Sequence, residues 1–294
     1  MNSDNQQLAN QETPNTIFVI LDPTTMVQPS LVLAESIAAD FNAQRPTAAT
    51  LHVYCCINEK SIRGETGETA EQVREEMLEL TKDWVERLVQ PTRALGLQVE
   101  TEVEIGEKWR KTIAAAVARQ HCALAIKTMS QHSRLMRAFH DSSDWKLLRD
   151  STCPVYLVKT SPKRHVRKVV AAIKHRTEKK VYTEANDLIL ATARGIAGGL
   201  GAELHVVTAY KNVMHYPDRQ KFADRCGVAR NRVRAEMGAP QDAIAAAANE
   251  IGADLVVMAR VGKPGSKRDV GHTAEKIIDA LDTDLLILPM KETD

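Results

Sequence analysis

The stretch that decides the fold is Thr16-Ile17-Phe18-Val19-Ile20-Leu21, because Lys168-Val169-Val170-Ala171-Ala172-Ile173 repeats its pattern 152 residues later. Each run is short, apolar and rich in β-branched residues, which is typical of a buried parallel strand. A helical stretch follows each run, at 31–42 and at 184–200, and a second strand then begins at Leu51 and at Leu204. The chain therefore contains one strand–helix–strand unit twice in tandem.

The rest of the repeat keeps its order but is shorter in the second half. Predicted strands at 123–128 and 254–259 match at an offset of 131 residues, and the last strands are predicted at 153–159 and 284–290. The segment that accounts for the loss of about 22 residues can be located. The first half carries a long charged amphipathic helix at 66–95, where the second half has only 216–228, so we predict that the second half has a truncated helix and a short loop there.

A chain of 294 residues has the length of two ordinary domains. Alternating strands and helices predict an α/β fold with two tandem Rossmann-like domains, each a mainly parallel five-stranded sheet with helices on both faces. We place a flexible tail at 1–15, the first domain (copy one) at 16–162 and the second (copy two) at 163–294. Ligands of such sheets bind outside the carboxyl ends of the strands.

The composition excludes several classes of partner. With 39 basic and 38 acidic residues the net charge is +1, so charge alone indicates neither a nucleic-acid nor a membrane surface. No apolar run approaches the roughly 18 residues of a membrane span. Five cysteines without CxxC spacing suit a reducing compartment and match no zinc pattern, so we expect a cytoplasmic protein without a metal site.

One loop of copy two has the chemistry of an anion site. Gly262, Gly265 and Gly271 follow its fourth strand, and glycines let backbone N–H groups converge on phosphate oxygens. A helix that starts near Thr273 would add its unsatisfied N–H groups and the positive end of its dipole. The sequence therefore predicts that this loop can bind a phosphate group.

Residues 256–276 also resemble the nucleotide loop of the universal stress protein family, whose pattern is G-x2-G-x9-G-[ST] followed by a helix. Cys153-Pro154-Val155 resembles the start of that family's closing strand, and 127–149 is similar to the tandem members called E-type. The resemblance implies an adenine nucleotide α-hydrolase-like fold, a role in the stress response and ATP, with Mg, as a possible cofactor. It also implies that the last strands of the two copies pair in an intramolecular pseudo-dimer, and it admits a further homodimer.

Copy two departs from the family pattern. Ala259 stands in the place of the first glycine, eight residues instead of nine separate Gly262 from Gly271, and His272 takes the Ser/Thr place. Lys174 replaces the acidic residue that ends the family's first strand. The candidate nucleotide-binding residues are Ala172, Ile173, Lys174, Val206, Met258, Ala259, Gly262, Gly265, Gly271, His272 and Thr273.

Copy one keeps the acidic residue as Asp22 but lacks the glycines, so neither copy retains the whole constellation. For Asp22 a turn cap is the better interpretation, because Pro23 and Thr24 follow it. Strand alternation predicts that one thiol of Cys55-Cys56 points inward and the other outward. His132, His140 and Asp141 fit solvated loop residues better than metal ligands, and the basic run 163–168 fits a solvated linker.

No P-loop, nucleophile elbow or HExxH motif occurs, so we expect no catalytic residues. We predict a non-catalytic ligand-sensing or protein-interaction module of the stress response, with a protein partner that is unknown. Two alternatives stay open. One is an ATP-binding switch with slow hydrolysis through copy two. The other is a carrier of a small apolar ligand in copy one, lined by Met129, Leu135, Met136 and Phe139.

Overall fold

The computed structural model describes residues 15–62, 69–129, 143–159, 165–262, 277, 280, 281 and 283–290. The strands are β1 (Thr16–Leu21), β2 (Thr50–Asn58), β3 (Gln98–Gly106), β4 (Leu124–Thr128), β5 (Val155–Val158), β6 (Lys168–Ala172), β7 (Glu203–Tyr210), β8 (Val233–Met237), β9 (Leu255–Val261) and β10 (Asp284–Met290). The helices are α1 (Pro29–Gln44), α2 (Ala70–Ala94), α3 (Trp109–Gln120), α4 (Ser143–Asp150), α5 (Lys180–Leu200), α6 (Arg219–Cys226) and α7 (Pro240–Ile251).

These strands form one continuous sheet of ten, in the order β3-β2-β1-β4-β5-β10-β9-β6-β7-β8. Within each copy the neighbouring strands are parallel, and both copies have the same internal order. The prediction of two α/β units with five parallel strands each is confirmed. The two sheets continue into one another where β5 pairs with β10, as the expected pairing of the last strands requires.

Both faces of the sheet are covered, which explains why its central strands are apolar throughout. One core, on the face of α1, α2, α5 and α6, takes alternate strand residues such as Val53 and Cys55. The other core, on the face of α3, α4 and α7, takes Tyr54 and Cys56. The interpretation that one thiol of the Cys55-Cys56 pair points outward was therefore wrong. Each lies in a core of its own, since no face of this strand meets water.

The second helix of each copy differs in length, as the sequence predicted. In copy one, α2 has 25 residues and begins with a capping box in which Thr69 and Gln72 exchange hydrogen bonds. In copy two, α6 has only eight residues, starts at an Asp218 cap and ends at Gly227. Gly227 adopts a left-handed conformation with φ 61°, which glycine takes without strain.

The two copies meet at an antiparallel joint between β5 and β10. Leu157 pairs with Leu285, Tyr156 with Leu286 and Val155 with Ile287. The predicted pairing of the last strands is confirmed, although β5 is shorter than the predicted 153–159. The predicted boundary between the copies falls in 160–164, outside the described residues, and stays a prediction.

Two buried polar contacts accompany this joint. The Asp284 carboxylate accepts hydrogen bonds from the Tyr156 hydroxyl at 3.1 Å and from the backbone N–H of Lys159 at 2.9 Å. The buried guanidinium of Arg260, at the end of β9, donates to the carbonyl oxygen of Ser151 at 2.9 Å. Both contacts join side chains of copy two to copy one, so they fix how the two halves sit together.

Replacing Asp284 with alanine is expected to lower the free energy of unfolding by about 2–4 kcal/mol. The substitution removes an acceptor from two donors, the Tyr156 hydroxyl and the Lys159 N–H, in a region that water does not reach. Urea unfolding followed by circular dichroism measures the change. Asp187→Ala, at an exposed position of α5, is the matched control and should stay within about 0.5 kcal/mol of the unsubstituted chain. Equal stability of the two variants would contradict the role given to Asp284.

Candidate functional site

The topology of each copy creates one crevice at the carboxyl edge of its sheet. The strand order reverses between β1 and β4 in copy one and between β6 and β9 in copy two. At such a point the connections leave in opposite directions, so the strand ends between them are open to a ligand. The two crevices differ in the residues that line them.

In copy one the start of α1 bridges the crevice. The Ser30 hydroxyl donates to the carbonyl of Ile20 in β1 at 3.0 Å, and the Ser30 N–H donates to the Thr128 hydroxyl at the end of β4 at 3.2 Å. The Gln28 side chain donates to the carbonyls of Asp22 and Thr25 at 2.7 and 2.8 Å. Gln28 and Ser30 are both buried. The protein's own chain therefore holds the ends of these two strands together.

Asp22 closes the turn that leads into this bridge. Its carboxylate accepts hydrogen bonds from the backbone N–H of Thr24 at 2.9 Å and from the Thr24 hydroxyl at 2.6 Å. The Asp22 carbonyl also accepts from the N–H of Thr25 at 3.2 Å. These contacts form an Asx turn, which agrees with the interpretation of Asp22 as a turn cap.

In copy two the equivalent loop is attached on the other side of its strand. The backbone of Lys174 exchanges two hydrogen bonds with the Asn186 amide of α5, at 2.9 and 2.8 Å. The His175 N–H donates to the buried Thr208 hydroxyl in β7 at 3.0 Å, and Arg225 of α6 donates to the His175 carbonyl at 3.2 Å. Because β7 lies beside β6 on the side away from β9, the bond to Thr208 attaches the loop on that side of its strand.

This loop also has the opposite charge. Residues 174–180 hold four lysines and arginines against one glutamate, whereas the equivalent 22–28 hold one aspartate and no basic residue. The Lys174 ammonium lies 3.9 Å from the centroid of the Tyr182 ring, which keeps it close to the protein surface. The carboxyl edge of copy two is thus a concentration of positive charge.

The His175 imidazole lies in the same positively charged region. Burial, and then the guanidinium groups of Arg225 and Arg176, lower the pKa of its imidazole, because each disfavours a further positive charge there. Its Nδ1 atom is buried and has no hydrogen-bond partner among the residues that the structure describes. This buried ring nitrogen therefore lies beside two guanidinium groups, those of Arg225 and Arg176.

The predicted site residues fall into four groups. Four are buried within the sheet and can only form the floor of a site: Ala172, Ile173, Val206 and Met258. Lys174 is exposed and Ala259 is half-buried. Both lie near the ends of the adjacent strands β6 and β9. Gly262 is buried, and its N–H donates to the carbonyl of Met290 at 3.2 Å. Gly265, Gly271, His272 and Thr273 lie outside the described residues.

Sequence reasoning missed the residues that shape this edge, namely His175, Arg176, Asn186, Thr208 and Arg225. A charge comparison of 174–180 with 22–28 could have found the first two. The other three come from α5, β7 and α6, and only the fold brings them to the same loop.

The described part of the chain shows no metal centre: no group of three histidine, cysteine or acidic side chains in it could hold an ion. His132, His140 and Asp141 lie outside that part. In the same ranges, no helix has the length and apolar character needed to cross a membrane.

Comparison with known proteins agrees with this fold. The family model described as "Universal stress protein family" matches residues 18–159 and 202–289. The chain is 23% identical to the "Universal stress protein E homolog" of Haemophilus influenzae, over 95% of this chain and 98% of the relative. It is 27% identical to "Universal stress protein E" of Escherichia coli K12, over 70% of this chain and 72% of the relative.

Solved structures show the same fold over nearly the whole chain. A functionally unknown protein from Pseudomonas aeruginosa PAO1 superposes with a TM-score of 0.74 at 24% identity, covering 94% of this chain and 93% of its own. A universal stress protein from Archaeoglobus fulgidus superposes with a TM-score of 0.68 at 20% identity, covering 95% of this chain and 99% of its own. With two matched segments and a fold of this kind, the chain belongs to the universal stress protein family as a tandem member.

Proposed function

We propose that this chain acts in the cytoplasm, in the stress response, as a non-catalytic sensor that binds a phosphate-bearing ligand at the carboxyl edge of copy two. One observation carries the proposal: the loop after β6 is strongly basic and is hydrogen-bonded to β7, whereas the loop after β1 bridges its own crevice. The same position in the fold is thus closed in one copy and positively charged in the other. Copy two is the copy that fits an anion.

The start of α5 supports this proposal. Its first residue is Lys180, its N-cap is Lys179, and no acidic residue lies in its first turn. The N-terminal end of a helix carries unsatisfied N–H groups and positive charge, so lysines there repel the helix dipole. An anion held in front of the helix would relieve that repulsion and would accept from the same N–H groups. The arrangement is therefore more favourable with a phosphate bound than without one.

The residues fit the phosphates of a nucleotide better than its nucleoside. Lys174 stands where the resemblance places an acidic acceptor on the adenosine side, so that acceptor is missing. Cations and backbone N–H groups, which recognise phosphate oxygens, are present instead. If ATP is the ligand, Mg²⁺ would arrive on its phosphates. We therefore propose weak discrimination between nucleobases and a strong dependence on the number of phosphates.

No catalytic step is part of the proposal, because the groups gathered at this edge bind and orient an anion and include no activated nucleophile. The ATP switch with slow hydrolysis depends on Gly265, Gly271 and Thr273, which the structure does not describe, and it stays a prediction. The apolar carrier in copy one also stays a prediction. Of its lining, Met129 is buried in the core and the other three residues lie outside the described ranges.

Thermal unfolding with ATP, AMP and inorganic tripolyphosphate tests the proposal. At a hundredfold excess over the dissociation constant we expect a stabilisation of about 2.7 kcal/mol, equivalent to a rise of about 4 °C in Tm. ATP and tripolyphosphate should act more strongly than AMP, since they present more negative oxygens to the basic edge.

The matched variants are Lys174→Glu and Lys111→Glu. Both replace an exposed lysine, but Lys111 lies on α3 of copy one, away from the basic edge. Lys174→Glu should abolish the rise in Tm, whereas Lys111→Glu should keep it. No shift at millimolar ligand, or an equal loss in both variants, would rule out binding at this edge.

A further inference from the structure

Two cysteines of copy one lie side by side at the amino edge of its sheet. Cys122 is in the turn between α3 and β4, and Cys153 lies two residues before the start of β5, which is the neighbour of β4. Their Sγ atoms are 3.2 Å apart. Both residues are buried, with exposed fractions of 4% and 8%. Since a disulfide bond is about 2.05 Å long, the two sulfurs need to approach each other by only about 1.2 Å.

The surroundings make the two thiols unequal. The thiol of Cys122, and then the Ser151 hydroxyl and nearby backbone N–H groups, lower the pKa of Cys153 against the opposing effect of burial. The Ser151 Oγ atom lies 3.4 Å from the Cys153 Sγ atom. The same contact between the sulfurs, together with burial, raises the pKa of Cys122. Cys153 is therefore the thiol that loses its proton first and becomes the nucleophile.

The other three cysteines differ from this pair. Cys55 and Cys56 are adjacent in β2 but lie in the cores on opposite faces of the sheet. Burial raises their pKa values to about 12 and about 11, which keeps both as unreactive thiols. Cys226 lies in copy two, in the core under α6. All five cysteines lie in the described ranges, and only Cys122 and Cys153 have their sulfurs in contact.

We propose that Cys122 and Cys153 are a modification site that forms a reversible disulfide when the chain meets a peroxide. The Cys153 thiolate attacks one peroxide oxygen, so an S–O bond forms and the O–O bond breaks. The departing hydroxide takes up a proton as water, and Cys153 becomes a sulfenic acid. The Cys122 sulfur then attacks the Cys153 sulfur and gives up its proton, the S–O bond breaks and a second water leaves. Two thiols have lost two electrons, and the peroxide has gained them.

The position of the pair connects such an oxidation to the joint between the copies. Cys153 comes two residues after Ser151, whose carbonyl accepts the hydrogen bond from Arg260 of copy two. The Ser151 hydroxyl in turn donates to the Cys153 carbonyl at 2.9 Å. A bond that draws Cys153 toward Cys122 therefore acts directly on a contact of the joint between the copies. This inference is independent of the proposed phosphate site.

Thiol counting on the full chain tests the inference. The reduced protein is treated with hydrogen peroxide, unfolded and alkylated, and the attached labels are counted by mass spectrometry. We expect three labels instead of five, a Cys122–Cys153 link in the peptide map and all five labels after treatment with dithiothreitol. The reaction should be faster at about pH 8 than at about pH 6, because the thiolate attacks.

Two variants keep the test decisive. Cys122→Ala should fold, since the equivalent position of copy two is the buried Ala253, and its Cys153 should stop at a sulfenic acid that dimedone labels. Cys226→Ser is the matched control and should still lose two thiols. Five labels after peroxide treatment, or a link that involves another cysteine, would overturn the proposal.

Discussion

Replacing Leu285 with aspartate is expected to lower the free energy of unfolding by about 5 kcal/mol or more, which is enough to open the joint between the copies. Leu285 is fully buried in β10, and its neighbours on the adjacent strands are Leu157 and Val256, which are fully buried as well. The substitution removes an apolar side chain and leaves a carboxylate without a partner in a place that water does not reach.

Scanning calorimetry and limited proteolysis measure this result. The variant should either fail to unfold cooperatively or be cut between the copies at protease concentrations that leave the unsubstituted chain intact. Leu285→Met keeps the volume and the apolar character, so its cost should stay below about 1.5 kcal/mol. A Leu285→Asp chain that melts as the Leu285→Met chain does would show that the β5/β10 pairing is not needed for stability.

Replacing Phe18 with alanine is expected to lower the free energy of unfolding by about 3–5 kcal/mol. The Phe18 ring is fully buried in the centre of copy one. It stacks on the His52 ring with centroids 5.0 Å apart, and its centroid lies 5.3 Å from that of Tyr54. Alanine would leave a cavity beneath α3 and would also remove both ring contacts.

Urea unfolding is the measurement, and Phe41→Ala is the matched control. Phe41 is also a phenylalanine of copy one, but it is half-buried on α1, with the Arg45 guanidinium over its ring. Its loss should cost clearly less than the loss of Phe18, because solvent can fill the space. Equal costs at the two positions would mean that Phe18 does not anchor the core of copy one.

The elements predicted from the sequence are those that repeat an apolar pattern. β1 and β6 stand out because a strand buried on both faces has to be apolar throughout. β3 and β8 were not identified, although each occupies an edge of the sheet. β3 carries Glu100, Glu102 and Glu104, so its composition resembles that of a charged helix or a loop. Edge strands need only half of the apolar residues, and their identity depends on the neighbour that pairs with them.

Only the position of the candidate site could be predicted from the sequence, and it stays a prediction. The strand order and the glycine loop identify the carboxyl edge of copy two, and Lys174 lies there. Nothing in the sequence indicated that Thr208, Asn186 and Arg225 contact the loop after β6, because these contacts span 12 to 50 residues. The failure at Cys55-Cys56 has a similar origin. Alternation describes the two faces of a strand, but only the fold determines whether a helix covers each face.

The antiparallel joint between β5 and β10 has a further consequence for how the copies could diverge. Two separate chains that met through such strands would part on dilution, whereas a tether holds these strands at an effective concentration on the order of millimolar. A joint of three residue pairs can therefore persist at any protein concentration. In a homodimer of identical chains, every substitution also appears at two equivalent positions, so neither position can change alone. Fusion removes that symmetry, so a lysine at position 174 leaves the aspartate at position 22 in place.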